Sequence, residues 1–202
     1  MNEAPEVVKR SRKEAAFARR QRILDAACQM IFERGYEPVS MAEIGAAAGV
    51  SGPAIYRHFE SKAEILAVLC NQTVDRLIEF VGPRRPDPHS ELGALVEGQV
   101  RLVVRYPELV RVFEDEERSL PADLRRQVRR REREHAQRWV DALRQIDRNA
   151  RSQDLEMLAY ATVGMILSAP RWPRPLRSDA ELEAMLLAAA DSILGREGRQ
   201  PA

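Results

Sequence analysis

Apolar residues recur every three or four positions along almost the whole chain, and no segment shows the alternation of a half-buried strand. This spacing places apolar side chains on one face of an α-helix. It predicts an all-α fold of about nine helices: three short ones before residue 60, a long one from 61 to about 81, and five more. The clearest stripes are Ile23, Ala27, Met30 and Ile31; Leu66, Leu69, Cys70, Thr73, Leu77 and Phe80; and Leu182, Met185, Leu186, Ala189 and Ile193.

Short polar signals mark the helix boundaries. A serine is followed three residues later by a glutamate at 40–43, 61–64 and 178–181, a spacing that lets the pair cap a helix start. Gly35 and Gly195 follow periodic segments, where glycine can end a helix in a left-handed conformation. Prolines at 83, 86 and 88, and again at 170, 173 and 175, predict interruptions between helices.

Composition narrows the possible classes of function. The 202 residues are 45% hydrophobic and 31% charged, with a net charge of +1, which excludes a polycation but allows a local basic patch. The N-terminus is polar, and no apolar run reaches the roughly 18 residues of a membrane span. The two distant cysteines, Cys28 and Cys70, indicate neither a disulfide scaffold nor a metal cluster. We therefore predict a cytoplasmic protein without membrane contact, metal or cofactor.

Residues 40–59 have the pattern of a helix-turn-helix motif, in the sequence SMAEIGAAAGVSGPAIYRHF. Ile44 and Ala48 would point inward from the first helix, and Gly49 would permit the turn. Val50 and Ile55 would fill the space between the helices. Ser51 would cap the second helix, which has the size to enter a DNA major groove.

The first 70 residues resemble the N-terminal signature of TetR-family transcriptional regulators. The matching positions are Arg22 to Ala27, Phe32, Gly35, Tyr36, Ser40, Ile44, Ala48 to Ser51, Ile55 to Phe59, Ser61, Lys62 and Glu64. Gly45 stands where the family usually has alanine, at a cost of about 1 kcal/mol in helix propensity. Pro53 and Ala54 replace the more usual small residue and threonine.

The resemblance implies that a double-stranded DNA operator is a partner of this protein. Tyr56 and His58 correspond to a phosphate-contacting pair, and Ser40 and Lys62 lie at helix starts that favour a phosphate. Arg57 is the candidate for a base edge, since its guanidinium matches guanine O6 and N7. The predicted DNA-binding residues are Ser40, Ser51, Gly52, Pro53, Ala54, Tyr56, Arg57, His58 and Lys62.

Three segments are predicted: a basic flexible arm (1–18), a helix-turn-helix domain (19–65), and a regulatory, ligand-binding and dimerisation domain (66–202). The first 22 residues carry seven basic against three acidic side chains, so the arm could lie along DNA or remain a solvated tail. In the resembling family the last helices form a dimer interface. Here the corresponding stripes would be Leu155, Leu158, Thr162 and Ile166, with Leu182, Met185, Leu186, Ala189 and Ile193.

Arginines crowd one later helix, from Arg125 to Arg138. They could be a solvated face paired with nearby acids, or they could bind an anionic ligand such as a phosphate. A looser similarity, around residues 113–116, 139 and 168–172, is to TetR members that sense acyl-CoA thioesters. It implies a ligand site formed by Phe113, Glu117, Leu120, Arg131, His135, Trp139, Leu143, Met157, Tyr160, Ala161, Met165 and Trp172.

No pattern of a catalytic site is present, because His58, His89 and His135 are isolated and no phosphate loop, nucleophile elbow or zinc spacing occurs. The prediction is a homodimeric, ligand-responsive repressor that a small molecule releases from a palindromic operator. The effector would be an acyl-CoA of lipid or sterol breakdown. The alternatives are a regulator of efflux or detoxification genes that responds to a drug-like hydrophobic ligand, and a non-specific DNA-binding protein.

Overall fold

The computed structural model describes residues 4–173 and 178–196, with side chains from residue 14 onward. Within these ranges the chain forms nine α-helices and two short 3₁₀ turns, and no strand. The helices are α1 (Ala4–Arg34), α2 (Met41–Ala47), α3 (Gly52–Ile55), α4 (Lys62–Val81), α5 (Pro88–Arg105), α6 (Pro107–Glu116), α7 (Ala122–Ile146), α8 (Ser152–Ser168) and α9 (Asp179–Ile193).

The predicted helix boundaries agree well with the structure. Reciprocal capping boxes open α2 at Ser40 and α9 at Ser178. At Ser61 only half of the box forms, because the Glu64 carboxylate accepts a hydrogen bond from the Glu60 amide instead. Gly35 and Gly195 end α1 and α9 with φ angles of +80° and +64°, as expected for glycine in the left-handed region.

The first helix is longer than the sequence suggested. α1 has 31 residues and begins at Ala4, so residues 4–18 continue a helix where a flexible arm was expected. The physical reason is local, since Pro5 occupies the first turn, where proline is tolerated, and neither proline nor glycine follows before Gly35. Residues 1–3 lie outside the described ranges.

Two clusters of buried side chains form the core. The first joins α1, α2, α3 and the first half of α4 with Val112 and Phe113 of α6, and with Leu120 and Val128. The second joins α5, α7, α8 and α9 with Val81 at the end of α4. Because α4 contributes to both clusters, it mechanically connects the helix-turn-helix motif to the remaining helices.

Candidate functional site

The helix-turn-helix motif folds as the sequence predicted. Gly49 has a φ of +66° and connects α2 to α3, and the Val50 amide donates to the Gly45 carbonyl at 2.8 Å. Ile44 and Ile55 are fully buried between the helices. A Cβ atom at Gly45 would lie 3.2 Å from the Val50 carbonyl oxygen. The glycine that weakens α2 therefore also allows the turn to pack closely against it.

Ser51 occupies the N-cap of α3, but its hydroxyl caps no amide. Pro53 has no N–H to donate, and the Ala54 amide donates to the Ser51 carbonyl oxygen at 2.8 Å. The prediction that the Ser51 side chain caps this helix was therefore wrong. Its hydroxyl stays exposed on the outer surface of the motif.

The residues predicted to face a DNA groove lie together on that outer surface. Ser51, Gly52, Pro53 and Arg57 are exposed, and Tyr56 keeps 57% of its surface accessible. Ala54 and His58 are half-buried at the edge of the first core. A single turn of helix thus presents a hydroxyl, a phenol and a guanidinium in one compact patch.

Basic side chains of α1 extend this patch. Burial, and then the charges of Arg19, Arg20 and Arg57, lower the pKa of His58. The Arg20 guanidinium stacks over the Phe59 ring, 4.2 Å from its centroid. The periodicity of the sequence gave no sign that Arg19 and Arg20 lie beside α3, because that proximity depends on how α1 packs.

Lys62, a predicted phosphate ligand, is already partly engaged. Its ammonium donates to the carbonyl oxygens of Tyr36 and Glu37, at 2.8 and 3.0 Å, and lies 4.1 Å from the centroid of the Tyr36 ring. An ammonium has three N–H donors, so one remains for a phosphate. Ser40 donates to the Glu43 carboxylate at 2.6 Å, and hydrogen bonds from Ser40 and then Arg34 lower the pKa of Glu43 to about 2.

A cavity of about 500 Å³ opens between α4, α5, α6, α7 and α8. This volume is typical of sites for small organic ligands. Four of the predicted ligand residues line it: Phe113, His135, Trp139 and Tyr160. Other lining residues were not predicted from the sequence, among them Thr73, Leu77, Gln99, Glu114, Glu132 and Glu156. One signal for them existed, since Glu156 and Gly164 share the helical face of Tyr160.

The other eight predicted ligand residues lie outside the cavity lining. Leu120 and Leu143 are core residues, and Met165 and Trp172 pack against the second core. Met157 and Ala161 are exposed on another face of α8, since one position along a helix turns the side chain by about 100°. Glu117 pairs with Arg129, and Arg131 binds Asn71 and Asp75 on α4.

Most arginines of α7 have partners inside the protein. Arg129 forms a bidentate ion pair with the Glu117 carboxylate, and Arg130 forms an ion pair with Glu134. Arg131 binds Asp75 at 2.5 Å, and Arg138 binds Glu91 at 2.7 Å. Their charges are thus largely compensated, as in the first of the two interpretations of this cluster.

The predicted dimer stripes proved to be partly monomer core. Leu155, Thr162, Ile166 and Leu186 are buried against other helices of the same chain. Leu158, Leu182, Met185 and Ala189 are half-buried, and Ile193 is exposed. The exposed positions on the faces turned away from the cavity and the core include small and flexible residues: Met157 and Ala161 on α8, and Ala184 and Ala188 on α9.

The described residues contain no cluster of three or more histidine, cysteine or carboxylate side chains placed to hold a metal ion. Neither does any helix within them combine the length and apolarity needed to cross a bilayer.

Comparisons with known proteins agree with this arrangement. A profile for bacterial regulatory proteins of the tetR family matches residues 23–69, and one for the tetracyclin repressor-like C-terminal domain matches residues 85–176. The activator FasR of Mycolicibacterium smegmatis is 41% identical over 31% of this chain and 29% of its own length. The repressor KstR2 of Mycobacterium tuberculosis is 26% identical over 78% of this chain and 82% of its own.

A solved structure extends the similarity to almost the whole fold. The crystal structure of AibR in complex with isovaleryl coenzyme A and operator DNA superposes with a TM-score of 0.73 at 25% identity. The match covers 85% of this chain and 97% of AibR. These similarities confirm the family resemblance and the all-α fold predicted from the sequence.

Proposed function

Since this chain belongs to the TetR family of bacterial transcriptional regulators, we propose that it is a homodimeric repressor, released from a palindromic operator by a small molecule. The observation that carries the proposal is that one cavity is lined by α4 and α6, the two helices that also support the helix-turn-helix motif. Filling the cavity can therefore act on the orientation of that motif. As a member of a family of DNA-binding regulators, the chain is not an enzyme.

Recognition of DNA is assigned to the exposed patch around α3. Arg57 would read a base edge, because its planar guanidinium can donate two hydrogen bonds to one guanine. Tyr56, His58 and the remaining N–H of Lys62 would hold phosphates, with Arg19 and Arg20 adding positive charge beside them. Phosphate contacts fix the register, and the base contact selects the sequence.

A two-fold dimer would supply two such patches to two half-sites of one operator. The outward faces of α8 and α9 suit this role. Small residues such as Ala161, Ala184 and Ala188 let helix backbones approach closely, while Met157 offers a flexible apolar contact.

One route for the ligand response runs through α6. Phe113 and Glu114 line the cavity, and two residues later Glu116 accepts a hydrogen bond from the Tyr36 amide at 3.1 Å. The Tyr36 carbonyl in turn accepts from Lys62. A shift of α6 on ligand binding would therefore move the loop that precedes α2 and the start of α4.

A second route runs through α7 and α4. Arg131 of α7 binds Asn71 and Asp75 of α4, while the neighbouring Glu132 lines the cavity. Thr73, Val74 and Leu77 place α4 itself in the cavity wall. A ligand that favours one arrangement of α4 changes the separation between the exposed patches around α3 in the two subunits. Operator affinity then falls by an amount set by the difference in the ligand's affinity for the DNA-bound and the released arrangement.

An acyl-CoA thioester is one candidate effector, supported by the AibR complex with isovaleryl coenzyme A. The pairing of the α7 arginines within the protein weighs against it, because fewer free cations face a ligand phosphate. A hydrophobic drug-like ligand is the second candidate, favoured by the largely apolar cavity wall.

The test is selection of binding sites from random duplex DNA, followed by titration of the selected site with wild-type protein and the Arg57→Ala variant. We expect a short palindrome to be selected, and the variant to lose about 1–3 kcal/mol at one base position per half-site. Lys62→Ala should instead weaken binding to all sequences alike. Arg148→Ala, an exposed arginine between α7 and α8, serves as the control of equal charge. A protein that selects no sequence is not a specific regulator.

A further inference from the structure

The cavity combines apolar and aromatic walls with an excess of negative charge. Its charged lining residues are Glu114, Glu132 and Glu156 against one cation, Arg133. Within residues 14–173 and 178–196, neither Glu114 nor Glu132 has a hydrogen bond or an ion pair. Glu117, close to both, is neutralised by Arg129. Glu114 and Glu132 thus lack the kind of direct cationic partner that Glu117 has.

The surroundings of these two carboxyl groups disfavour their negative charge. Glu114 and Glu132 keep part of their surface exposed, yet partial burial is the largest cause acting on the pKa of each. Burial raises the pKa of Glu114; the charge of Arg171, which is itself paired with Asp115, opposes this rise, and the charge of Glu132 adds to it. Burial also raises the pKa of Glu132, with the charge of Glu117 as the next cause, while the charges of Arg129 and Arg133 lower it by less. A positive charge placed between them would relieve both effects, because it would favour the ionised form of each.

His135 provides a second and independent observation. It lines the cavity and is more than nine-tenths buried, yet its Nδ1 has no hydrogen-bond partner among the described residues. Its Nε2 accepts a hydrogen bond from the Trp139 indole at 3.4 Å, which assigns the proton to Nδ1. Burial lowers the pKa of His135 to about 4, so the ring is neutral at pH 7. Nδ1–H is therefore a hydrogen-bond donor without an acceptor among the described residues.

We propose that this cavity takes a lipophilic organic cation whose charge lies between Glu114 and Glu132 and whose hydrogen-bond acceptor meets Nδ1–H of His135. The inference rests on the proposed function, since it names the class of effector for the same cavity. Phe113, Trp139 and Tyr160 supply aromatic surfaces, and a cation is attracted to the face of such rings. Among the charged residues that line the cavity, an anionic ligand would meet three carboxylates and one arginine, and the nearby Arg129 and Arg171 are already paired with Glu117 and Asp115.

The test uses two ions of nearly equal size and opposite charge, tetraphenylphosphonium and tetraphenylborate, titrated into the purified full-length protein by calorimetry. We expect the phosphonium to bind and the borate to bind at least about tenfold more weakly, as expected for unlike and like charges in a partly desolvated site. Glu114→Gln and Glu132→Gln should each weaken phosphonium binding several-fold. Glu134→Gln is the matched control, because Glu134 lies on α7 with Glu132 but outside the cavity lining; it should leave phosphonium binding unchanged.

The role of His135 is tested with methoxymethyltriphenylphosphonium and its isostere propyltriphenylphosphonium, which lacks the ether oxygen. Wild-type protein should prefer the ether, and His135→Phe should abolish that preference. Equal binding of the phosphonium and the borate, or unchanged phosphonium binding by both glutamine variants, would overturn the proposal.

The selected operator separates this inference from the proposed function. If isovaleryl coenzyme A releases the operator and the phosphonium ions neither bind nor release it, the repressor function stands and the cation inference fails. If no operator is selected but the phosphonium binds with the expected charge preference, the cavity inference stands and the regulatory function fails.

Discussion

At the scale of single residues, the absence of a side chain sets the distance between two helices. A Cβ atom at Gly98 of α5 would lie 2.9 Å from the Val81 nitrogen and 3.1 Å from the Val81 Cα, at the end of α4. Both neighbours are backbone atoms that cannot rotate away. Gly98 therefore determines how closely α4 packs on α5, beside the cavity.

We expect Gly98→Ala to destabilise the fold, although alanine favours a helix by about 1 kcal/mol over glycine. The overpacking against Val81 should cost more, about 1–3 kcal/mol. Gly93→Ala in the same helix is the control, because the nearest atoms there belong to the flexible end of Arg196. Thermal melts followed by circular dichroism should show a lower midpoint than wild type for Gly98→Ala. The midpoint of Gly93→Ala should not be lowered. Equal midpoints for the two variants would refute the close approach.

At the scale of elements, the stability of each short helix of the helix-turn-helix motif depends on the contacts at its ends. α2 has only seven residues and begins with the reciprocal pair Ser40 and Glu43, to which Arg34 of α1 adds an ion pair at 2.9 Å. Isolated helices of this length are not stable in water, so caps and packing decide whether they form. Glu43 thus fixes both the start of α2 and its attachment to α1.

We expect the stabilisation from Glu43 to depend on pH. Because its folded-state pKa, about 2, lies below the usual 4.5, the contribution is complete above pH 4.5 and is lost as the pH falls from 4.5 towards 2. Urea unfolding of Glu43→Gln should therefore show lower stability than wild type at pH 6, and the difference should shrink at pH 3. Glu37→Gln, an exposed carboxylate in the preceding loop, is the control. A difference that stays constant with pH would contradict the assigned role.

At the scale of the whole molecule, the outward faces of α8 and α9 are where a second copy is proposed to pack. Leu186, which the sequence placed in the dimer interface, is fully buried within its own subunit. An arginine there would unfold the subunit instead of separating two subunits. Ala161, exposed on α8, is the better position for a test of the interface.

We expect Ala161→Arg to produce a folded monomer, since its charge and bulk would prevent close approach of a partner helix. Sedimentation should show half the mass of the wild-type protein, and circular dichroism should show the same helix content. Operator affinity should fall because the two half-sites are no longer bound together. Gln145→Arg, at an exposed position of α7, should remain dimeric. A dimeric Ala161→Arg variant would place the interface elsewhere.

Local order was predictable from the sequence because it depends on neighbours along the chain. The capping pairs at Ser40 and Ser178, the glycine ends at Gly35 and Gly49, and the buried stripe of the motif all rest on contacts within a few residues. The match of the motif to its family supplied the assignment of DNA-contacting residues, which stays a prediction. The length of α1 was underestimated, because charged residues gave its N-terminal half no apolar stripe.

The sequence by itself determined most of the helices, the capping boxes at Ser40 and Ser178, and the motif that carries the family, since hydrogen bonds and periodicity over three or four residues specify them. Only the tertiary structure decided which side of each helix meets which neighbour. It placed Glu132 rather than Arg131 in the cavity wall, Leu186 in the subunit core and Ala161 on its surface. The reason is that an apolar stripe indicates which face of a helix is buried but does not specify the element that packs against it. Adjacent positions on a helix point in different directions, so that of two neighbouring residues one lines the cavity and the other forms an ion pair.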